Sequence, residues 1–220
     1  RDLARILMDD VRGDAERVGA LHRGVTAALL AAARVDAHGI AEAFDYNPKH
    51  EGDGNMWHGA VGVLRRVTFE GYGSSDSCAA ASNVAALLGV MTIAGVQSFD
   101  AKLAASALRD CLQRATGFLG GSNTTAARVA SRCSESLATI LQANARGDED
   151  VIATDGLAST CAKVLASAVH GASLAENVQS ATGACLLVTT LFRSHATSER
   201  AKNGSFEHVG ASLLQSLLVL

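Results

Sequence analysis

A single proline, a single tryptophan and two tyrosines stand in 220 residues, and aromatic side chains make up 4 % of the chain. Proline is the strongest breaker of helices, so its scarcity leaves long helices unopposed. β-Branched residues in strict alternation, the mark of a half-buried strand, are nearly absent, which argues against a sheet. Charge of one sign is also lacking: 19 Lys and Arg stand against 22 Asp and Glu, a net of −3. With no basic patch of the kind a phosphate backbone demands, nucleic acid is not an expected partner. No uninterrupted apolar run reaches transmembrane length, residues 89–96 being the nearest, so membrane insertion is not expected.

The cysteines are Cys78, Cys111, Cys133, Cys161 and Cys185. No two stand at CxxC spacing, the number is odd, and most fall on apolar stripes. They read as free buried thiols. Free thiols fit a reducing compartment, and the expected location is cytoplasmic. No Gly-x-Ser-x-Gly motif and no Gly-x4-Gly-Lys-Ser/Thr loop occur, which removes two common routes to hydrolase and nucleotide chemistry.

What the chain has in plenty is alanine, leucine and valine at helical spacing. Residues 174–193 place Leu174, Val178, Ala181, Ala184 or Cys185, Val188, and Leu191 or Phe192 at steps of three and four, a wide apolar stripe. Glu176 suits the positive end of that helix and Arg193 the negative end. Residues 124–144 form a long helix with Val129, Cys133, Leu137, Ile140 and Leu141 on one face. Asp148, Glu149 and Asp150 open a short helix, Asp155-Gly156 marks a turn, and residues 157–169 form the next helix with Cys161, Val164 and Leu165 inward. Ser198 can cap another short helix, Gly210 breaks the chain, and residues 211–220 resume with Leu213, Leu214, Leu217 and Leu218. Gly156 and Gly210 are about 54 residues apart, a helical-repeat interval.

Earlier in the chain, residues 1–11 carry an amphipathic pattern with Leu3, Ile6, Leu7 and Val11. Residues 14–21 form a short helix that Gly24 ends, and residues 25–35 follow with Val25, Leu29 and Leu30 inward. The segment GVTAALL at 24–30 matches NVAALLG at 83–89, with Asn83 in place of Gly24 as a residue that tolerates a left-handed backbone. Residues 44–55, which hold Pro48, form an irregular surface loop. Residues 56–69 form a helix with Ala60, Val63, Leu64 and Val67 inward. Residues 70–77 are a Gly/Ser loop, and residues 79–96 and 100–118 are two more helices. The interval from Asn83 to Gly156, about 73 residues, holds one helix more than a three-helix unit needs.

The segments DEDVIATDGLASTCAKVL (148–165), ENVQSATGACLLVTTLF (176–192) and SERAKNGSFEHVGASLLQSLL (198–218) together resemble the armadillo/HEAT-like family of helical repeats. RDLARIL at 1–7 looks like the tail of a long third helix. The resemblance implies an all-α, right-handed superhelix (solenoid) of stacked repeats over residues 1–220 as one domain. It also implies a non-enzymatic scaffold or adaptor that binds other proteins in a larger intracellular assembly. Family members often bind a peptide backbone through an Asn of the third helix. Residues 181–191 and 60–69 carry no Asn, which turns the expectation away from that mode. The alternatives are a structural subunit without repeat ancestry, and an all-α enzyme.

Glu51-Gly52-Asp53-Gly54, between His50 and His58, is the motif an enzyme would use, since a Gly-flanked Asp can hold a divalent ion near a phosphate. Too few carboxylates converge there for a metal site, and the two histidines lack a helical ligand spacing. No cofactor, metal or catalytic residue is therefore expected. Trp57, Arg65 and Arg66 are the candidate partner-binding residues, because Trp and Arg dominate interface hot spots. Leu217, Leu218 and Leu220 join them. Left wet, the last helix would forfeit several kcal/mol at about 25 cal/mol per Å², so these leucines are expected to pack beneath a further helix of a longer chain or of a partner.

Overall fold

The computed structural model describes residues 15–45, 57–71, 74–96, 100–119, 124–144, 157–169 and 174–197. The helices expected at 1–11, 148–152 and 211–220, the Glu51–Gly54 motif, and Leu217, Leu218 and Leu220 lie outside the described residues. Among the described residues every regular element is an α-helix: α1 (Ala15–Val35), α2 (Ala37–Asp45), α3 (Trp57–Arg66), α4 (Ser74–Ile93), α5 (Ala101–Thr116), α6 (Thr124–Asn144), α7 (Leu157–Val169) and α8 (Leu174–Thr197). The all-α expectation holds over this part of the chain.

Four local readings are corrected, the first being the loop at 70–77: its residues Ser74–Ser77 already form the first turn of α4, where Asp76 suits the positive end of the helix. Gly24 does not end a helix; α1 runs through it for 21 residues. Glycine in a helix interior costs about 1 kcal/mol relative to alanine, and the burial of Val25, Thr26, Leu29 and Leu30 on one side of α1 outweighs that. A Cβ at Gly24 would meet nothing within 4 Å. Gly24→Ala should therefore raise stability by about 0.5–1 kcal/mol, read as a higher urea midpoint; a fall would mean that α1 is broken there. Asn83 likewise lies inside α4, and no non-Gly residue among those described has a positive φ. Phe44 belongs to α2, not to a loop, and is buried. α2 has no counterpart in the sequence reading. Its start is signalled by Asp36, whose Oδ1 accepts from the Gly39 N–H at 2.8 Å, an N-cap.

The helix ends follow known chemistry. Asp100 caps α5 by accepting from the Leu103 N–H at 2.9 Å. α4 closes on Gly95 at φ 66, with Gly95 N–H donating to Thr92 O and Val96 N–H to Met91 O. That bond pair is the Schellman pattern, and buried Val96 follows it.

The helices form two layers. α1, α4, α6 and α8 are the long ones, at 21, 20, 21 and 24 residues. Each packs mainly on the next: α1 on α4, α4 on α6, α6 on α8. The shorter α3, α5 and α7 form the other layer, α3 touching α5 and α5 touching α7, and each also packs on long helices. The long helices run parallel. Arg23 pairs with Asp76 at 2.7 Å, and further along both helices Asn83 Nδ2 donates to Thr26 Oγ1 at 3.2 Å. Between α6 and α8, Ser131 lies against Gly183, and further along Gln142 Nε2 donates to Thr190 Oγ1 at 2.9 Å. α4, α6 and α8 begin at Ser74, Thr124 and Leu174, an even interval of 50 residues, the same as separates Leu64 from Arg114.

Small residues set the spacing of the long helices. The Ser136 hydroxyl donates to Ala85 O at 2.6 Å across the α4–α6 seam, beside Gly89. On the α6–α8 seam a Cβ at Gly183 would lie 2.6 Å from Ser131 O. Backbones this close bury Leu87, Leu88, Leu137 and Leu187 completely. α4 is long and apolar enough to cross a membrane by length and composition, and 56 % of that window is buried inside the protein, where it packs between α1 and α6.

Candidate interaction surface

Of the residues singled out from the sequence, Trp57 is 2 % exposed. Its ring lies 4.8 Å from that of Phe44 at 36°, so it joins α3 to α2 within the core. That leaves almost no surface with which to anchor a partner. Arg65 and Arg66 are exposed at the C-terminus of α3, where their charge suits the negative end of the helix dipole. Neither makes an ion pair among the described residues. The end of α3 is held by Arg114 of α5, whose guanidinium donates to Leu64 O and Val67 O. Phe69 stacks on Phe118 at 5.2 Å just beyond. The structure thus places Trp57 apart from the arginine pair, and puts that pair on the short-helix layer.

α3, whose region 60–69 stood in for a third helix in the sequence reading, has 10 residues and belongs to the short layer. The long helix that follows it is α4, and that helix does carry an Asn, Asn83. Its amide N–H is engaged by Thr26, which in turn donates to His22 O at 2.7 Å.

The long-helix layer has one side that no described helix covers. On α4 it is marked by Ala79, Asn83, Ala86 and Val90, all half-buried, and by Ile93, 78 % exposed. On α6 it is marked by Arg128, Arg132, Glu135, Thr139 and Gln142, at the same steps of four and three. Thr182, Leu186, Thr189 and Arg193 continue it on α8. Residues at such steps share one face of a helix. The neighbouring helices cover the other sides of α4 and α6. Sequence reasoning missed this face because it looked for large residues. The recurrent spacing of half-apolar positions was the signal available.

His22 of α1 lies near Arg66, on the side of the short-helix layer. Its Nε2 is buried without a hydrogen-bond partner among the described residues. Burial first, and the nearby Arg66 guanidinium second, hold its pKa below the ordinary 6.5. The unfolded chain therefore takes up a proton that the folded chain refuses. Stability is full above about pH 6.5 and falls as pH drops below it, until the folded-state pKa is reached. His22→Leu should flatten that part of the stability-versus-pH curve relative to wild type in urea titrations between pH 7 and 5. Parallel wild-type and variant curves would contradict it.

Cys78, Cys111, Cys133 and Cys161 are buried and Cys185 is half-buried, all free. A hydrogen bond with Cys111, then burial, pushes the Cys133 thiol well up. Burial pushes Cys161 up to about 12, and also raises Cys78 and Cys185. Raised thiols are poor nucleophiles because the thiolate is the reactive form. Among the described residues no group of His, Cys, Asp or Glu is placed to hold a metal ion. No family model matches the chain, and no curated protein or solved structure matches it significantly.

Proposed function

We propose that the protein is a scaffold for protein–protein interaction, built as a solenoid of armadillo/HEAT-like helical repeats. The observation that carries this reading is the parallel long-helix layer, in which each long helix packs on the next while the short helices form a second layer. Such stacking buries each unit only against its neighbours and leaves a broad continuous face for partners. The evenly spaced starts of α4, α6 and α8 support a repeating unit. The raised, buried thiols support a non-catalytic role, and five free cysteines support a reducing intracellular compartment.

The test is affinity capture with the full chain from lysate, quantified against the double variant Val90→Asp/Arg128→Glu on the long-helix face. The proposal expects a stoichiometric partner retained by wild type and lost from the variant. No partner lost from the variant would count against it. A thermal-shift screen with Mg²⁺ and nucleotides tests the competing enzyme reading; a saturable shift abolished by Asp53→Ala would defeat the scaffold.

A further inference from the structure

We infer that the uncovered face of the long-helix layer docks an acidic, amphipathic segment of a partner protein. Apolar side chains of that segment seat on α4, and its carboxylates meet arginines on the helices to either side. The inference rests on the scaffold reading and adds the chemistry of the partner.

The centre of the face is uncharged. Ala79, Ala86, Val90 and Ile93 line α4, and the Asn83 amide between them is turned to Thr26 on α1. Small residues along one helix with Ile93 standing clear at its end form a shallow trough that accepts apolar side chains. The flanks are cationic. On α1, Arg23 borders the trough, and Arg34 lies whole turns further along the same line of that helix. On α6, Arg128 and Arg132 border the other side.

The acids near these arginines are already engaged, Asp36 beyond Arg34 as the cap that accepts from Gly39 N–H at 2.8 Å. Asp76 is bound to Arg23 at 2.7 Å, and Glu135 to Arg132 at 2.8 Å. That leaves Arg34 and Arg128, both exposed and without an ion pair among the described residues. The face is therefore positive on a chain whose net charge is −3, so its sign is local and not a reflection of bulk composition. Complementary potential selects partners and speeds encounter. A basic segment would meet unpaired guanidinium groups, while an acidic one would neutralise them. A nucleic acid fits less well: the trough has no aromatic side chain on which bases could stack.

The probe is a fluorescein-labelled synthetic peptide of Glu and Leu patterned as an amphipathic helix, with two controls. One is the same peptide with Lys for Glu, and the other is labelled oligodeoxythymidylate. Fluorescence anisotropy with the full chain reads binding at low and moderate salt. The Glu peptide should bind and the Lys peptide should not. Arg34→Glu/Arg128→Glu should weaken the Glu peptide about tenfold or more, a loss of about 1.4 kcal/mol by the affinity relation, and Val90→Asp should do likewise. Arg65→Glu/Arg66→Glu, on the other layer, should leave binding unchanged. Circular dichroism checks that each variant keeps its helix content, and Arg34→Gln/Arg128→Gln should give a smaller loss in the same direction. No binding of the Glu peptide, equal binding of both peptides, tighter binding of the oligonucleotide, or indifference to the arginine substitutions would overturn the inference. A captured partner lost from the face variant but not displaced by the Glu peptide would leave the scaffold standing and remove only the acidic-partner assignment.

Discussion

Trp57→Ala should destabilise the protein by about 3–5 kcal/mol, the usual cost of emptying a buried large aromatic site. The ring is almost wholly enclosed and packs on Phe44, so its removal leaves a cavity between α2 and α3. Aromatic pairs add about 0.5–1.5 kcal/mol beyond their burial, and Phe44→Ala should show a comparable loss that is not additive with Trp57→Ala. Equilibrium urea unfolding measures both. Were Trp57 an interface anchor, its substitution would instead leave the midpoint nearly unchanged and weaken partner capture. The loss should appear in the free chain, with no partner present.

Gly183→Ala should be the most damaging single-methyl insertion in the long-helix layer. Its Cβ would stand 2.6 Å from Ser131 O, 3.1 Å from Ser131 Oγ and 3.3 Å from Glu135 Cγ. The first of these is backbone, which cannot rotate aside, so α6 and α8 must separate. Overpacking of this kind costs about 1–3 kcal/mol, occasionally more, and Gly183→Val should exceed it. Gly89→Ala meets the Ser136 hydroxyl first, at 2.9 Å. That oxygen can turn away at the cost of its bond to Ala85 O, so the loss should be smaller. Gly24→Ala meets nothing and should stabilise. Stability in the order Gly24→Ala above Gly89→Ala above Gly183→Ala, by thermal or urea unfolding, is the expected result. An equal loss at Gly183 and Gly24 would mean that α6 and α8 do not pack as described.

Much of the fold was legible because helix-period stripes are long and clean in this chain. α6 and α7 have the bounds that their apolar periodicity and flanking turn residues imply, and Val129, Cys133, Leu137, Cys161, Val164 and Leu165 are buried as that periodicity places them. The misreadings share one physical cause, which is local propensity overridden by packing. Gly24 and Asn83 are poor helix residues by intrinsic preference, yet both lie inside continuous helices: Gly24 is exposed on α1 beside the buried Val25, Thr26, Leu29 and Leu30, and Asn83 bonds to Thr26 at the α1–α4 seam. Phe44 stands next to a polar stretch with the only proline, but its ring has Trp57 to pack on, and α2 extends to reach it.

The candidate surface was less legible. Residue type pointed to Trp57, because tryptophan is common at hot spots. Burial at the start of a short helix explains it equally well, and the sequence alone does not separate the two. Arg65 and Arg66 are exposed as expected, on the layer opposite the long-helix face. That face is made of residues that are unremarkable one by one, such as Ala79, Ala86 and Arg128. Only the order in which helices stack brings them side by side, and stacking order is a long-range property that periodicity within one helix does not carry.

The parallel long-helix layer is tested most directly by engineered disulfides across its seams. The native thiols interfere little, since four are buried and those with shifted pKa values are pushed up; half-buried Cys185 is replaced by Ser. Thr26→Cys/Asn83→Cys spans α1 and α4, and Gln142→Cys/Thr190→Cys spans α6 and α8, in each case at positions whose side chains are hydrogen-bonded to each other. Under mild oxidation, followed by proteolysis and mass spectrometry, both pairs should bridge, while Thr26→Cys/Val90→Cys, displaced along α4, should not. A failure of both designed pairs, or bridging of the displaced pair as readily as the designed one, would contradict the layered arrangement on which the proposed function stands.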